Sequence, residues 1–165
     1  MRLIMAKVEI VPAEHRTGEF LSLVREYTNS IRSGDAAVAS VLASQHLDAE
    51  LQDLGTKYGG PGGRMYLALV DGKAEGCAAL TAFEGDACEI KRLYVRPQHR
   101  GLHIGEKLAQ KAIEDARAIG YRHMLLDTFP FMENAIHLYR KLGFYEIPRY
   151  NGNPAEEAVF FKKDL

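Results

Sequence analysis

The run Gly59-Gly60-Pro61-Gly62-Gly63 splits the chain into two kinds of hydrophobic periodicity. No helix or strand passes through five such residues, so the segments on either side must be separate elements. Before the run the period is helical. From Glu14 to about Ile31, Phe20, Leu21, Val24, Tyr27 and Ile31 share one stripe. Gly34-Asp35 interrupts, and a second helical stretch is expected from about Ala36 to Tyr58. A short β-like run, Lys7 to Val11, precedes both and is closed by Pro12. After the run the period becomes two. Met65 to Val70 reads as a strand, Asp71-Gly72 as a hairpin turn, and Ala74 to Ala82 as the return strand. Glu84-Gly85-Asp86 turns the chain again into a third strand, Ala87 to Val95, stopped by Pro97.

The rest alternates. Ile104, Leu108, Ala112, Ile113, Ala116 and Ile119 form a helical stripe that ends at Gly120. His123 to Thr128 contains the unbroken apolar run Met124-Leu125-Leu126, expected of a buried strand with a parallel neighbour. Asn134 or Glu133 opens a short helix with Arg140 and Lys141 in its last turn, ended by Gly143. Phe144 to Ile147 and Ala158 to Lys162 are expected to close the fold as strands around a polar loop. The order β, α, α, three antiparallel strands, then α-β-α-β-β defines a mixed α/β, α+β-like sandwich of helices on a central sheet. Its βαβ portion spans Ala87 to Thr128. No repeat, low-complexity tract or linker divides the 165 residues, so a single domain over 1–165 is expected.

Composition narrows the function classes. Twenty-one basic and 22 acidic residues give a net charge of −1, which offers no global field for nucleic acid or an anionic membrane. No run approaches the roughly 18 apolar residues of a membrane span. The start has too few apolar residues for the h-region of a secretory signal. Cys77 and Cys88 lie in apolar strand segments and read as reduced core thiols. A cytoplasmic protein is expected.

The segment Arg100-Gly101-Leu102-His103-Ile104-Gly105 joins a strand to a long helix. Backbone N–H groups at such a junction, with the positive end of the helix dipole, make an anion cradle. Taken locally, a purely geometric glycine turn accounts for it equally well. No Walker lysine follows and no complete G-x-G-x-x-G is present, so other nucleotide-binding βαβ types lack support. The stretch Tyr94 to Gly105 resembles the pyrophosphate-binding motif of the GNAT acetyltransferases, in which Gln or Arg, two residues, Gly, one residue, and Gly or Ala follow in turn. Arg100 fills the first slot and Gly105 the last, whereas His103 stands where the family usually has glycine. Downstream, Asn134-Ala135-Ile136-His137-Leu138-Tyr139-Arg140-Lys141-Leu142-Gly143-Phe144 is similar to a second family segment, so the resemblance covers roughly residues 65 to 162.

That resemblance implies a GNAT-type sandwich with a largely antiparallel central sheet, a splayed parallel strand pair and helices on both faces. It implies acetyl-CoA as co-substrate, with no metal. Pantetheine would pair with backbone near Leu93, Tyr94 and Val95, and phosphates would sit on Arg100, Gly101, Leu102, His103, Ile104 and Gly105. An added ligand strand suits an open strand edge. Leu93 and Val95 also read as plain core side chains.

Two residues are candidates for catalysis. Expelling a thiolate from a thioester is helped by a proton donor near the sulfur, and the resemblance places Tyr139 there. The other reading is a helix tyrosine packed on the sheet. An ammonium acceptor must lose a proton before it attacks, and Glu89 is a carboxylate for that task. Its spacing to Arg100 matches that of the catalytic glutamate in the histone-modifying branch. Strict alternation would put Glu89 on the face of Lys91, Leu93 and Val95; a carboxylate paired with a cross-strand cation is the other reading. His103 is expected in the first helical turn, where right-handed backbone tolerates any residue, and its imidazole either points outward or touches phosphate. Asn134 suits an N-cap and, by resemblance, a contact with the pantetheine arm. The basic residues Lys91, Arg92 and Arg96 to Arg100 would suit a ligand bearing several phosphates, or form a solvated face.

The expected function is N-acetyl transfer from acetyl-CoA to a primary amine of a small molecule or peptide; a non-catalytic acyl-CoA-binding module is the alternative. The stretches from Tyr27 to Arg64 and Pro148 to Glu157 would shape the acceptor site, where Arg64, Arg149 and Tyr150 are candidates to hold a carboxylate. No nucleic-acid or membrane partner is expected, and pairing into a homodimer stays open.

Overall fold

The computed structural model describes residues 6–32, 50, 52–153 and 155–165. β1 (Val8–Pro12) leads into α1 (Thr17–Arg32). Of the second helical stretch, most lies outside the described residues; its end is α2 (Leu54–Tyr58), where the Asp53 carboxylate accepts from the Thr56 N–H at 3.2 Å. The glycine run then packs against its own helix end. A Cβ on Gly59 would stand 2.3 Å from Gly55 O, and one on Gly63 2.6 Å from Tyr58 C, so both positions exclude a side chain.

The meander follows as β2 (Arg64–Val70), β3 (Lys73–Ala82) and β4 (Ala87–Val95). Asp71 and Gly72 take φ of 49° and 86°, the left-handed pair a tight hairpin needs. After a short 3-10 turn at Pro97–His99 come α3 (Ile104–Ile119), β5 (His123–Thr128) and α4 (Glu133–Lys141). β6 (Tyr145–Ile147) and β7 (Val159–Asp164) complete a seven-stranded sheet of order β1-β2-β3-β4-β5-β7-β6. All neighbours run antiparallel except β4 and β5.

Helices cover both faces. On one face α3 and α4 bury Ile104, Leu108, Ala112 and Tyr139 against Cys88, Ile90, Met124 and Leu126. On the other, α1 and α2 bury Phe20, Leu23, Val24 and Tyr58 against Leu67, Cys77, Ala79 and Tyr94. Cys77 and Cys88 are free thiols in these cores, and burial pushes each up to about 12.

Two irregularities shape the middle of the sheet. β4 and β5 pair only at Ala87–His123, Cys88–Met124 and Glu89–Leu125, so beyond Glu89 the parallel strands splay apart. In addition, β4 carries a bulge. Its register against β3 steps from Lys91–Ala79 to Tyr94–Cys77, and Arg92 takes φ of 59°. The extra residue reverses the side-chain phase. Ile90 and Leu93 both join the α3/α4 core, whereas Glu89 falls on the α1/α2 face between Cys88 and Ile90. Glu89 therefore does not share a face with Leu93 and Val95, contrary to the strict alternation expected.

Candidate active site

A cleft of about 730 Å³ opens at the splay. Leu93, Tyr94 and Val95 of β4 form one wall, and Met132, Asn134, Ala135, Leu138 and Lys141 the opposite one. Tyr27 of α1 also lines it, so the cleft runs through the gap from one sheet face to the other.

Its floor is the turn into α3. His99, Arg100, Gly101, His103, Ile104 and Gly105 line it, while Leu102 stands outside the lining at 39% exposure. Gly101 holds φ of 104°. His103 is the N-cap of α3 in left-handed conformation, φ 57° and ψ 28°, not the right-handed first-turn residue expected. The substituted slot thus keeps the backbone that glycine favours, with its side chain turned out to 73% exposure and 3.4 Å from Glu106. The first-turn N–H groups of Ile104, Gly105 and Glu106 precede the first intrahelical bond, Lys107 N to His103 O, and face the dipole's positive end.

The basic cluster is largely engaged elsewhere. Lys91 pairs with Glu89 at 3.5 Å, Arg92 with Glu50 at 2.8 Å, and Arg96 with Glu26 and Glu75 at 3.0 and 3.2 Å. Arg100 remains at the cleft, its Nε donating to Val95 O at 3.3 Å. Lys141 joins it from α4, 3.1 Å from Glu106. The sequence presented Lys141 only as a last-turn cation. Asn134 lines the cleft but caps nothing, because Met132 holds the cap position without a side-chain hydrogen bond.

Tyr139 lies beneath the cleft lining, buried and edge-on to Phe144 at 5.7 Å between centroids. Burial pushes its phenol well above the ordinary value, and Tyr27 and Asp127 nearby push it further, so it stays protonated. Glu89 is buried as well. It accepts from Tyr150 Oη at 2.5 Å and from Asn151 Nδ2 at 3.4 Å, with Lys91 on the same strand as its cation. Asn151 Nδ2 also donates to Asp127 at 2.7 Å, which ties Glu89 and Asp127 into one network. Asp127 escaped the sequence reading because it meets the site from β5; Tyr27 was read on the first helical stripe and at the start of the acceptor-side stretch, not as a cleft-lining residue. A cue existed for Asp127: it is the one carboxylate of β5 and follows directly on the apolar run Met124-Leu125-Leu126.

Arg64 and Arg149 are not poised for a substrate carboxylate. Arg64 donates to Pro61 O and Gly63 O, and Arg149 ties Asn153 O and Ala155 O and covers the Phe160 ring at 4.8 Å. Tyr150 is held by Glu89. Among the described residues no group of His, Cys, Asp and Glu is placed to hold a metal, and no helix is long and apolar enough to cross a membrane.

A parallel pair splayed over a strand-to-helix turn is the arrangement that the GNAT resemblance implied, and the comparisons agree. The sequence pattern of the Acetyltransferase (GNAT) family matches residues 27–144. An uncharacterized N-acetyltransferase of Schizosaccharomyces pombe is 36% identical over 149 residues, 89% of this chain and 87% of that protein. A GNAT-family acetyltransferase from Staphylococcus aureus shares the fold with a TM-score of 0.78, at 20% identity over 96% of this chain and 99% of that one. The PaiA N-acetyltransferase of Thermoplasma acidophilum, solved in complex with coenzyme A, gives 0.73 at 16% identity over 96% and 99%. The chain belongs to the GNAT superfamily of N-acetyltransferases and is an acetyltransferase enzyme.

Proposed function

We propose that residues 1–165 form a single catalytic domain that transfers an acetyl group from acetyl-CoA to a primary amine. The observation that carries this reading is the cleft itself, which passes through the β4–β5 splay and ends on the N-terminus of α3. Acetyl-CoA would supply the acyl group as a thioester. The open N–H groups of Ile104 and Gly105, with Arg100 and Lys141 beside them, suit its phosphates. The unpaired edge of β4 near Leu93, Tyr94 and Val95 suits the amides of its arm.

Tyr139 is the proton donor toward the departing sulfur. Its raised pKa keeps the donor form present throughout the physiological range. Glu89, linked to Asp127 through Asn151, receives the amine's proton directly or through water. The relative from Schizosaccharomyces pombe supports the amine as the acceptor group.

A thermal-shift titration and a thiol-release assay test the reading together. Acetyl-CoA at about 100 times its Kd should stabilise the fold by about 2.7 kcal/mol, or roughly 5 to 10 °C for a chain of this size. Arg100→Glu should abolish the rise while leaving the unliganded Tm within a few degrees. An unchanged rise in that variant removes the turn from the binding site. A rise without thiol release from any amine reduces the reading to an acyl-CoA-binding module.

A further inference from the structure

Tyr27 closes the cleft from the side away from the coenzyme turn. It rides on α1, on the sheet face opposite α3 and α4, yet it lines the same cleft as Leu93, Tyr94 and Val95. Its ring packs on Tyr94 at 5.6 Å between centroids, tilted by 35°. Tyr27 is half-buried, and its hydroxyl makes no hydrogen bond to any described residue. A phenol carried into a cleft without a protein partner is open to what binds there.

Its neighbours fix where along the cleft it stands. Burial pushes the Tyr27 phenol up to about 12; the Arg92 cation opposes the rise and the Asp127 anion adds to it. Arg92 and Asp127 lie just past Glu89 and Leu125, the last register pair before β4 and β5 part. A side chain that packs on Tyr94 of β4 and feels Asp127 of β5 therefore spans the narrow end of the splay. From the other face Tyr139, raised first by burial, feels Tyr27 and Asp127 in turn. Two phenols thus meet one gap from opposite faces of the sheet. With phosphates on the turn before α3, at the wide end, the coenzyme arm leads its acyl end inward to this point.

We infer that Tyr27 is a further catalytic residue, whose hydroxyl donates to the thioester carbonyl oxygen and holds the oxyanion formed when the amine attacks. The inference rests on the acetyl-transfer reading and deepens it. Attack forms the C–N bond and moves the carbonyl π pair onto oxygen, which accepts from the Tyr27 O–H. Collapse restores the C=O bond and breaks the C–S bond, and the departing sulfur takes the Tyr139 proton. The proton shed by the amine passes to Glu89 or water and on to solvent, from which Tyr139 is reprotonated. Tyr27 keeps its own proton throughout. A fixed neutral donor in a water-poor gap stabilises developing negative charge more than bulk water does.

The test compares the full native chain with Tyr27→Phe in thiol release from acetyl-CoA. The acceptor is whichever amine the native protein acetylates fastest among amino acids, polyamines and short peptides. The hydroxyl holds no protein group, so Tm should stay within a few degrees and the acetyl-CoA-induced rise in Tm should persist. Turnover should fall by about a hundredfold, the usual loss for one oxyanion donor. KM for the amine should stay within about twofold, because only a transition-state interaction is removed. Adding Tyr139→Phe should slow the enzyme further, since the two hydroxyls serve different atoms, oxygen and sulfur. Native kcat in Tyr27→Phe would leave the residue as packing against Tyr94. A raised amine KM at native kcat would make it an acceptor-binding group, and a double variant no slower than Tyr139→Phe alone would mean that it acts only through Tyr139. Each of these three outcomes overturns the oxyanion assignment. Native protein that releases no thiol with any amine would defeat the acetyl-transfer reading, and this assignment with it.

Discussion

His103 shows what a single residue contributes at the coenzyme turn. Its left-handed backbone costs an L-residue about 1–2 kcal/mol, and glycine would escape that cost while giving up about 0.5–1 kcal/mol of chain entropy. His103→Gly should therefore raise stability by roughly 0.5 to 1 kcal/mol, read by urea unfolding, and change acetyl-CoA affinity little. A destabilised glycine variant would mean that the contact with Glu106 outweighs the strain. Tyr139 makes the opposite case. Its hydroxyl holds no hydrogen bond to a described residue, so Tyr139→Phe should leave Tm and acetyl-CoA affinity nearly unchanged. Turnover should fall by about a hundredfold or more if the phenol protonates the leaving sulfur. Native turnover would make the residue a packing tyrosine under α4.

Elements were legible in the sequence to the degree that they obey one period. β4 and β5 occupy Ala87–Val95 and His123–Thr128 as read from the sequence, and α3 stops at Gly120, whose φ of 112° suits the residue after a helix. What escaped was the bulge, because a period of two assumes one residue per step. The signal was present in Ile90-Lys91-Arg92-Leu93, where two adjacent cations between apolar residues break the alternation. Missing it put Glu89 on the wrong face. Glu50 and Lys57 lie in the stretch from Tyr27 to Arg64 that the sequence assigned to the acceptor side, but nothing local showed that Glu50 would pair with Arg92 of β4. The cluster they form with Arg92 carries its own prediction. Burial alone would raise the Glu50 pKa, but Arg92 and Lys57 outweigh it and hold the carboxyl at about 2. A depressed folded pKa gives stability that is present above the unfolded value and lost as pH falls toward 2. Stability should thus fall between about pH 5 and pH 2, with Glu50 supplying roughly 2 to 3 kcal/mol of the loss. Glu50→Gln should be less stable at pH 7 and show a shallower acid slope in urea unfolding. Equal slopes would mean that the ion pairs do not form.

At the scale of the whole molecule, the sheet is two half-sheets joined weakly by their backbones. β1 to β4 and β5 to β7 share only three register pairs, and the α3/α4 core, which takes Tyr66 and Ala78 from one half and Met124 and Phe161 from the other, supplies the remaining coherence. A ligand arm lying in the gap would replace the missing ladder. Amides within Ile90–Val95 that face the gap should exchange quickly in the free protein, since no strand protects them from that side. Saturating CoA should slow them by tenfold or more. Amides of β2 and β3 should slow only as far as the global stabilisation requires, about a hundredfold where exchange needs complete unfolding and ligand stands at 100 times its Kd. The informative readout is therefore the difference in sub-global exchange at moderate denaturant, where local and global opening separate. Selective protection of the second half of β4 would place the arm along its open edge. Uniform slowing across the sheet, with the gap-facing amides still fast, would mean that the ligand holds only the turn before α3 and leaves the splay open.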